Sequence, residues 1–290
     1  MLNSLYNSPA KLKELLDARN LSMQKKFGQN FLIDANIRSK LVDTLALSPD
    51  DTIWEIGPGL GSMTELILKT GATLTAFEID AGFIPFLHEQ FDIYENFQLV
   101  EGDVLKNWKQ CARDNVPQFF FGNLPYNIAT TLLLDTIEEG VFFDTCLVTM
   151  QKEAADRLGA SIGEDYSATS ILTQAFYDVQ PVMNIGASAF WPRPHVASKA
   201  ILLRKTETYS AQLDGITTLF FTLVKALFFS RRKTIKNNFL RYLKEHNKDI
   251  ALLDRVFPQS VQSRRAETLT VQECIEYTKK LAIVLETSLF

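Results

Sequence analysis

The chain has 290 residues and a formal net charge of −4, and 46 % of its residues are hydrophobic and 22 % charged. This is the composition of an ordinary globular protein, long enough for one large domain and one small one. No stretch approaches the run of about 20 apolar residues that a membrane-spanning helix needs, so the sequence excludes such a helix. The charged N-terminal segment predicts no signal peptide, and three scattered cysteines and three scattered histidines predict neither a disulfide framework nor a metal site, so we expect a cytoplasmic protein.

Short apolar runs alternate with helical patterns between about residues 50 and 205. The runs are rich in β-branched and aromatic residues and are bounded by Gly, Pro, Asp or Asn, which is typical of buried strands. The strands predicted in this way are 52–56, 73–79, 97–100, 118–121, 145–150 and 200–203. Because amphipathic stretches such as 63–69 and 130–139 lie between them, we expect βαβ units and a mostly parallel sheet.

Capping residues mark two helices. Ser8 can cap a helix whose first position is Pro9. Ser62 and Glu65 have the S-x-x-E spacing of a capping box, and Gly71 follows the last periodic residue of that helix as a stop signal. The sequence therefore predicts helices starting near residues 9 and 63.

Beyond residue 205 the pattern is helical, with predicted helices over 213–229, 234–246 and 271–285 and a break at Pro258. We therefore predict an α/β domain with an N-terminal helical arm over residues 1–205. Residues 206–290 are predicted to form a small all-α domain.

A glycine-rich turn, Glu-Ile-Gly-Pro-Gly-Leu-Gly-Ser over residues 55–62, follows the first predicted strand. Glycine lets a backbone turn sharply and lets a ligand approach it, because no Cβ intervenes. The spacing of Gly57, Gly59 and Gly61 is GxGxG, and Ser62 stands where a dinucleotide fingerprint has its third glycine. The turn is either a ligand site or a purely structural connection.

Acidic residues follow the next two strands. Glu78, followed by Ile79, ends the second strand, where a carboxylate can accept hydrogen bonds from ribose hydroxyls. Asp103, followed by Val104, comes after the third strand, where an acid can accept the exocyclic amine of an adenine. The alternatives are an ordinary polar strand end and a helix cap. The order of glycine turn, Glu and Asp is the pattern of an S-adenosylmethionine pocket at the carboxyl ends of the strands.

The fourth strand is followed by Asn123-Leu124-Pro125-Tyr126. The N6 amine of adenine is a poor nucleophile because its lone pair is delocalised into the ring. Two acceptors, the Asn123 side-chain oxygen and the Leu124 carbonyl, could take both N6 hydrogens and localise that lone pair. Pro125 would fix the turn and Tyr126 would stack on the extruded base. The alternative is a Pro-containing loop with a core tyrosine.

The box resembles that of N6-adenine methyltransferases, and flanking segments narrow the family. KKFGQNFL over 25–32 and FWPRPHVAS over 190–198 are similar to the KxxGQNFL and FxPxPxVxS segments of ribosomal RNA adenine dimethyltransferases. EIGPGLG, FEID, EGD, GNLPYNI, QKE over 151–153 and FFSRRK over 228–233 continue the match in order. Tyr166-Ser167 replaces the usual Tyr-Gly, and Trp191, Arg193 and Ala197 replace commoner residues of the Pro-rich segment.

The whole resembles the KsgA-type family, which dimethylates two adjacent adenosines near the 3′ end of 16S rRNA. This resemblance implies a Rossmann-like class I methyltransferase fold with S-adenosylmethionine as cofactor, 16S rRNA in the small subunit or its precursor as partner, and a monomer without metal. Phe190 would join Tyr126 in sandwiching the adenine, although a lone Phe is more often a core aromatic. The expected cofactor-binding residues are Asn30, Leu32, Gly57, Gly59, Gly61, Glu78, Ile79, Asp103, Val104 and Asn123.

A basic segment over residues 224–248 contrasts with the acidic chain, whose sequence pI is about 5.5. It is either a solvated helix face or an RNA-binding surface, and the RNA-binding residues predicted in it are Lys225, Arg231, Arg232, Lys233 and Lys236. The other functions considered are an Erm-type enzyme acting on 23S rRNA, a non-catalytic ribosome assembly factor, and an NAD-dependent oxidoreductase, which the GxGxG spacing disfavours.

Overall fold

A computed structural model describes residues 3–23, 29–124 and 126–287, without the side chains of residues 3, 4, 114, 126, 127, 286 and 287. The chain forms two compact units, each assembled from three stretches. The first unit contains residues 1–133, 141–155 and 180–204, and the second contains residues 134–140, 156–179 and 205–290. The last stretch of the first unit ends at residue 204, next to the predicted domain boundary at residue 205.

A seven-stranded sheet is the centre of the first unit, with strand order β4-β3-β2-β5-β6-β9-β7. The first five strands of this order pair in parallel, and β9 is antiparallel to β6. This is the mostly parallel Rossmann-like sheet that the sequence predicted. The strands are β1 (Phe31–Leu32), β2 (Thr52–Ile56), β3 (Thr73–Glu78), β4 (Phe97–Glu101), β5 (Phe119–Asn123), β6 (Thr145–Gln151), β7 (Tyr177–Ile185), β8 (Phe190–Trp191) and β9 (Ser198–Lys205).

Helices flank the strands and make up most of the second unit. Residues 53–56 of β2 and 145–150 of β6 are all buried, because a strand covered on both faces exposes neither row of side chains. The helices are α1 (Asn3–Tyr6), α2 (Pro9–Ala18), α3 (Ala35–Leu45), α4 (Thr64–Leu68), α5 (Ile84–Phe91), α6 (Val104–Asp114), α7 (Tyr126–Glu138), α8 (Lys152–Leu158), α9 (Ala168–Gln174), α10 (Ser210–Leu213), α11 (Thr217–Leu227), α12 (Ile235–Glu245), α13 (Leu252–Val256), α14 (Gln259–Gln262) and α15 (Val271–Thr287).

Strand β7 has no counterpart among the predicted strands. Polar residues and Pro181 interrupt its apolar residues, so its sequence lacks the pattern of a central strand. It lies at the edge of the sheet. A proline is tolerated there because an edge strand leaves one row of backbone N–H groups unpaired.

One predicted cap is confirmed and one is wrong. The Ser8 hydroxyl accepts from the backbone N–H of Lys11, with Pro9 at the start of α2. The capping box at Ser62 is absent, because α4 begins at Thr64 and its first turn receives no side-chain cap. Glu65 instead accepts a 2.7 Å hydrogen bond from Lys69.

The second unit packs α11 against α9, α12 and α15. The helix predicted over 213–229 is divided in two, because Gly215 has a left-handed backbone between α10 and α11. Ser167, which replaces the family's usual glycine, has an extended backbone and caps α9 through a reciprocal pair of hydrogen bonds with Ser170. The substitution is therefore compatible with the local fold. No helix in the described part of the chain is long and apolar enough to cross a membrane.

Candidate active site

The glycine turn joins β2 to α4 and places two of its glycines in tight surroundings. Gly59 has φ +59°, and a Cβ on it would lie 3.0 Å from the ring of Phe31. Gly61 has φ +84°, and a Cβ on it would lie 2.3 Å from the ring of Phe91. Both glycines therefore let an aromatic ring pack closely against the backbone of the turn.

Glu78 holds the glycine turn from the end of the neighbouring strand. Its Oε2 accepts from the N–H of Gly59 at 2.9 Å, and its Oε1 accepts from the N–H of Asp80 at 2.7 Å. Burial raises the pKa of the Glu78 carboxyl, while these two backbone hydrogen bonds oppose the shift. A carboxylate has about four lone-pair sites, so Glu78 keeps acceptor capacity for a ligand hydroxyl.

Asp103 combines the two roles that the sequence left open. Its Oδ1 accepts from the N–H of Leu105 at 3.0 Å, so it caps α6. It also lines the same cavity as Glu78, together with Ile79 and Val104. Ile79 is a branched aliphatic side chain that is 43 % exposed, so this end of the cavity offers an apolar contact beside a carboxylate. That combination suits a planar ring with an exocyclic amine.

Asn123 stands at the end of β5 with both ends of its side-chain amide engaged. Its Oδ1 accepts from the Thr149 hydroxyl at 2.5 Å, and its Nδ2 donates to the backbone carbonyl of Asn30 at 3.3 Å. The N–H of Leu124 donates to the carbonyl of Thr149 at 3.2 Å. Because the carbonyl of Asn30 can only accept, the end of the amide that faces it is the NH2 group and the end that faces Thr149 is the oxygen.

A cavity of about 220 Å³ brings most of the predicted cofactor residues together. Within the described residues, Gly61 is the expected contact that does not line it, because it packs against Phe91. The predicted residues that line the cavity are Asn30, Leu32, Gly57, Gly59, Glu78, Ile79, Asp103, Val104, Asn123 and Leu124.

Of the residues predicted to stack on the base, Phe190 is the one whose side chain the structure describes. Phe190 pairs with Leu32 between β8 and β1, but its side chain is only 3 % exposed and belongs to the hydrophobic core. Its sandwiching role stays a prediction, and it requires the ring to leave the core. Pro125 and the side chain of Tyr126 lie outside the described part of the chain.

Glu55 is a site residue to which the sequence assigned no role. It lines the cavity, is 2 % exposed and accepts a 2.6 Å hydrogen bond from the Thr64 hydroxyl. Burial raises the pKa of its carboxyl to about 8, and the nearby Glu78 adds to the shift. The signal that could have identified Glu55 was its place directly before the glycine turn, in Glu-Ile-Gly-Pro-Gly. The sequence alone does not distinguish a buried acid that contacts a ligand from one that has a structural role.

The predicted RNA-binding residues lie in the second unit and differ in their partners. Lys225 is 2.9 Å from Glu138, and Arg231 is 3.6 Å from Glu267, so part of their charge is already balanced. The other three are exposed and form no ion pair within the described part of the chain; they are Arg232, Lys233 and Lys236. No group of three or more His, Cys, Asp or Glu among the described residues could hold a metal ion.

Comparison with known proteins identifies relatives over almost the whole chain. Residues 20–279 match the family model described as ribosomal RNA adenine dimethylase. The "Ribosomal RNA small subunit methyltransferase A" of Treponema denticola is 50 % identical over 245 residues, which cover 83 % of each chain. The protein of the same name from Treponema pallidum is 39 % identical over 284 residues, covering 97 % of this chain and 98 % of the relative. That from Staphylococcus haemolyticus is 36 % identical over 274 residues and 92 % of each chain.

Solved structures support the fold. A dimethyladenosine transferase from Plasmodium falciparum matches with a TM-score of 0.69 and 22 % identity, over 88 % of this chain and 96 % of the other. The 23S rRNA methyltransferase ErmE matches with a TM-score of 0.60 and 22 % identity, over 87 % of this chain and 99 % of the other. At this identity the likeness shows the shared fold alone.

Proposed function

This chain belongs to the ribosomal RNA adenine dimethylase family, and on that basis we propose that it dimethylates N6 of two adjacent adenosines near the 3′ end of 16S rRNA. The family makes it an S-adenosylmethionine-dependent rRNA adenine dimethyltransferase. The names of its curated relatives support the small ribosomal subunit or its precursor as the substrate particle. A role in small-subunit biogenesis in the cytoplasm follows from that substrate.

The cavity of the first unit fits S-adenosylmethionine, which supplies an electrophilic methyl group on a sulfonium when bound. Gly57 and Gly59 line the cavity without side chains, so a ligand can approach the backbone there. Two carboxyls, Glu78 and Asp103, face the same cavity and suit ribose hydroxyls and an adenine amine. Buried Glu55 adds a third carboxyl to the lining, and because its pKa is raised to about 8 it is largely protonated at neutral pH. The donor and acceptor set therefore supports the expected cofactor contacts.

The orientation of the Asn123 amide is the observation that carries the proposed role of this site. Because the carbonyl of Asn30 can only accept, it faces Nδ2, so Oδ1 is the atom that accepts from the Thr149 hydroxyl, and it keeps one lone pair. A free acceptor at Oδ1 and another at the Leu124 carbonyl would take both N6 hydrogens of an adenosine. The N6 lone pair would then point at the methyl group, and most of the catalysis would come from positioning.

Base stacking and RNA binding complete the proposal. Tyr126 and Phe190 would hold the extruded adenine between their rings, with Pro125 fixing the turn. The exposed cations Arg232, Lys233 and Lys236 would contact phosphates, with smaller contributions from Lys225 and Arg231 because these already have acidic partners. A monomer is expected, and sedimentation measures it.

Replacement of Asn123 by Ala tests the proposed function. We expect nearly complete loss of labelled methyl transfer to unmodified small subunits while the fold stays intact, because the loss of the two amide hydrogen bonds should cost only about 1–3 kcal/mol of stability. Primer extension on 16S and 23S rRNA from the same reactions identifies the substrate. Full activity of the variant would refute the role of Asn123, and modification of 23S rRNA alone would refute the small-subunit substrate. Binding without transfer by the wild type would indicate an assembly factor.

A further inference from the structure

The two proposed acceptors for the adenine amine share one buried neighbour, Thr149. This residue is fully buried on β6, directly opposite Asn123 in the parallel register of β5 and β6. Its hydroxyl donates to Asn123 Oδ1 at 2.5 Å, and its backbone carbonyl accepts from the N–H of Leu124 at 3.2 Å. A single residue therefore contacts the residues that supply both acceptors, through its side chain on one side and its backbone on the other.

The carbonyl of Asn30 sets the direction of the Asn123 amide because it can only accept, and the Thr149 hydroxyl supplies the shorter of the amide's two hydrogen bonds. A carboxamide has an acceptor end and a donor end of almost the same shape, so packing alone does not distinguish its two orientations. If the amide turned over, its NH2 group would face the N6 hydrogens of adenine, and donor would meet donor. The hydrogen bond to the carbonyl of Asn30 is long, at 3.3 Å, whereas the bond from Thr149 is short. Thr149 is therefore the stronger of the two anchors.

We propose that Thr149 is a positioning residue for methyl transfer: its hydroxyl fixes the Asn123 side chain with one oxygen lone pair left for the methyl-accepting amine. This inference rests on the proposed function and adds a residue that does not touch the substrate. The branched Cβ of threonine favours the role because it restricts χ1 and holds the hydroxyl at one angle. A structural role would require only that the buried side chain fill its space, which valine does equally well.

Three variants separate positioning from packing. Thr149→Val keeps the shape and removes the donor, and we expect kcat to fall about 10- to 100-fold because reacting groups are sensitive to small misplacements. The KM for S-adenosylmethionine should change less than about twofold, because Thr149 does not line the cavity. Thr149→Ser restores the hydroxyl and should recover most of kcat. Thr145→Val is the matched control, since Thr145 is also buried on β6 and lies about 13 Å away along the same face.

A kcat for Thr149→Val equal to that of Thr145→Val would overturn the proposal, and so would a Thr149→Ser variant as slow as Thr149→Val. A second readout does not depend on activity. The side-chain NH2 signals of Asn123, assigned in 15N spectra by their loss in Asn123→Ala, should shift in Thr149→Val and return in Thr149→Ser. Unshifted signals would exclude the hydrogen bond. If the wild type methylated no rRNA, the proposed function would fail, and the NMR comparison would still decide whether Thr149 orients Asn123.

Discussion

Replacement of Gly61 by Ala should destabilise the first unit without weakening cofactor binding. The backbone of Gly61 has φ +84°, and a left-handed conformation costs about 1–2 kcal/mol for a residue with a Cβ. The new methyl group would also lie 2.3 Å from Cε2 and 2.6 Å from Cζ of Phe91, a fully buried ring that has little room to move. Overpacking of this kind costs about 1–3 kcal/mol. Together the two terms give a loss of about 2–5 kcal/mol.

Denaturant unfolding measures that loss, and Gly140→Ala is the control. Gly140 has φ +76°, but a Cβ on it has no neighbour within 4 Å, so only the backbone term of about 1–2 kcal/mol applies. Calorimetric titration with S-adenosylmethionine well below the unfolding transition should give wild-type affinity for Gly61→Ala. Equal destabilisation of the two variants would refute the overlap with Phe91. A large loss of affinity in a folded Gly61→Ala variant would return Gly61 to the cofactor contacts.

The remaining predictions concern charge. Glu78→Ala should weaken S-adenosylmethionine binding in calorimetry while RNA binding stays nearly unchanged, and equal cofactor affinity would count against the proposed ribose contact. Glu55 has a pKa raised by burial from 4.5 to about 8, so its contribution to stability is fully present below about pH 4.5, where both states are protonated, and is lost as the pH rises through 8. Glu55→Gln should therefore flatten the decline of unfolding free energy across that window, and an unchanged pH profile would contradict the shift. Arg232→Ala should lower the salt dependence of RNA binding by about 0.7–0.9 in log–log slope, and Arg231→Ala by less because Glu267 already lies 3.6 Å away; equal slopes would contradict that ranking.

The central strands could be predicted from the sequence because burial on both faces selects mostly apolar residues, with Glu55 as the exception on β2. The prediction over 52–56 coincides with β2, and the one over 145–150 differs from β6 by a single residue. The same rule misses β7, which contains polar residues and Pro181. These residues are tolerated because β7 lies at the edge of the sheet, and a single sequence does not reveal that position. Ser62 likewise has the spacing of a cap, but α4 begins only at Thr64 and its first turn receives no side-chain cap.

The order of the site residues could also be predicted, since the carboxyl ends of parallel strands meet at one edge of a sheet. Glu78, Asp103 and Asn123 accordingly line one cavity. Contacts that depend on register between strands could not be predicted. Thr149 lies 26 positions from Asn123 and meets it only because β5 and β6 pair in that register. For Phe190, the motif predicted a base contact while its apolar ring favours the core, and these two demands conflict at one position.

The N-terminal arm, which the sequence marks only as a capped helix, completes the support of the glycine turn. The Tyr6 hydroxyl donates to the carbonyl of Leu60 at 2.7 Å, and the guanidinium of Arg38 donates to the carbonyl of Ser62 at 3.2 Å. Arg38 is fully buried with its guanidinium over the Tyr6 ring, and burial lowers its pKa. Carbonyls of the turn are thus held by the arm and α3, while one of its N–H groups is held by Glu78. Because opposite backbone groups are fixed from different elements, the conformation of the turn is set during folding, and a ligand that binds there need not bear the cost of ordering it.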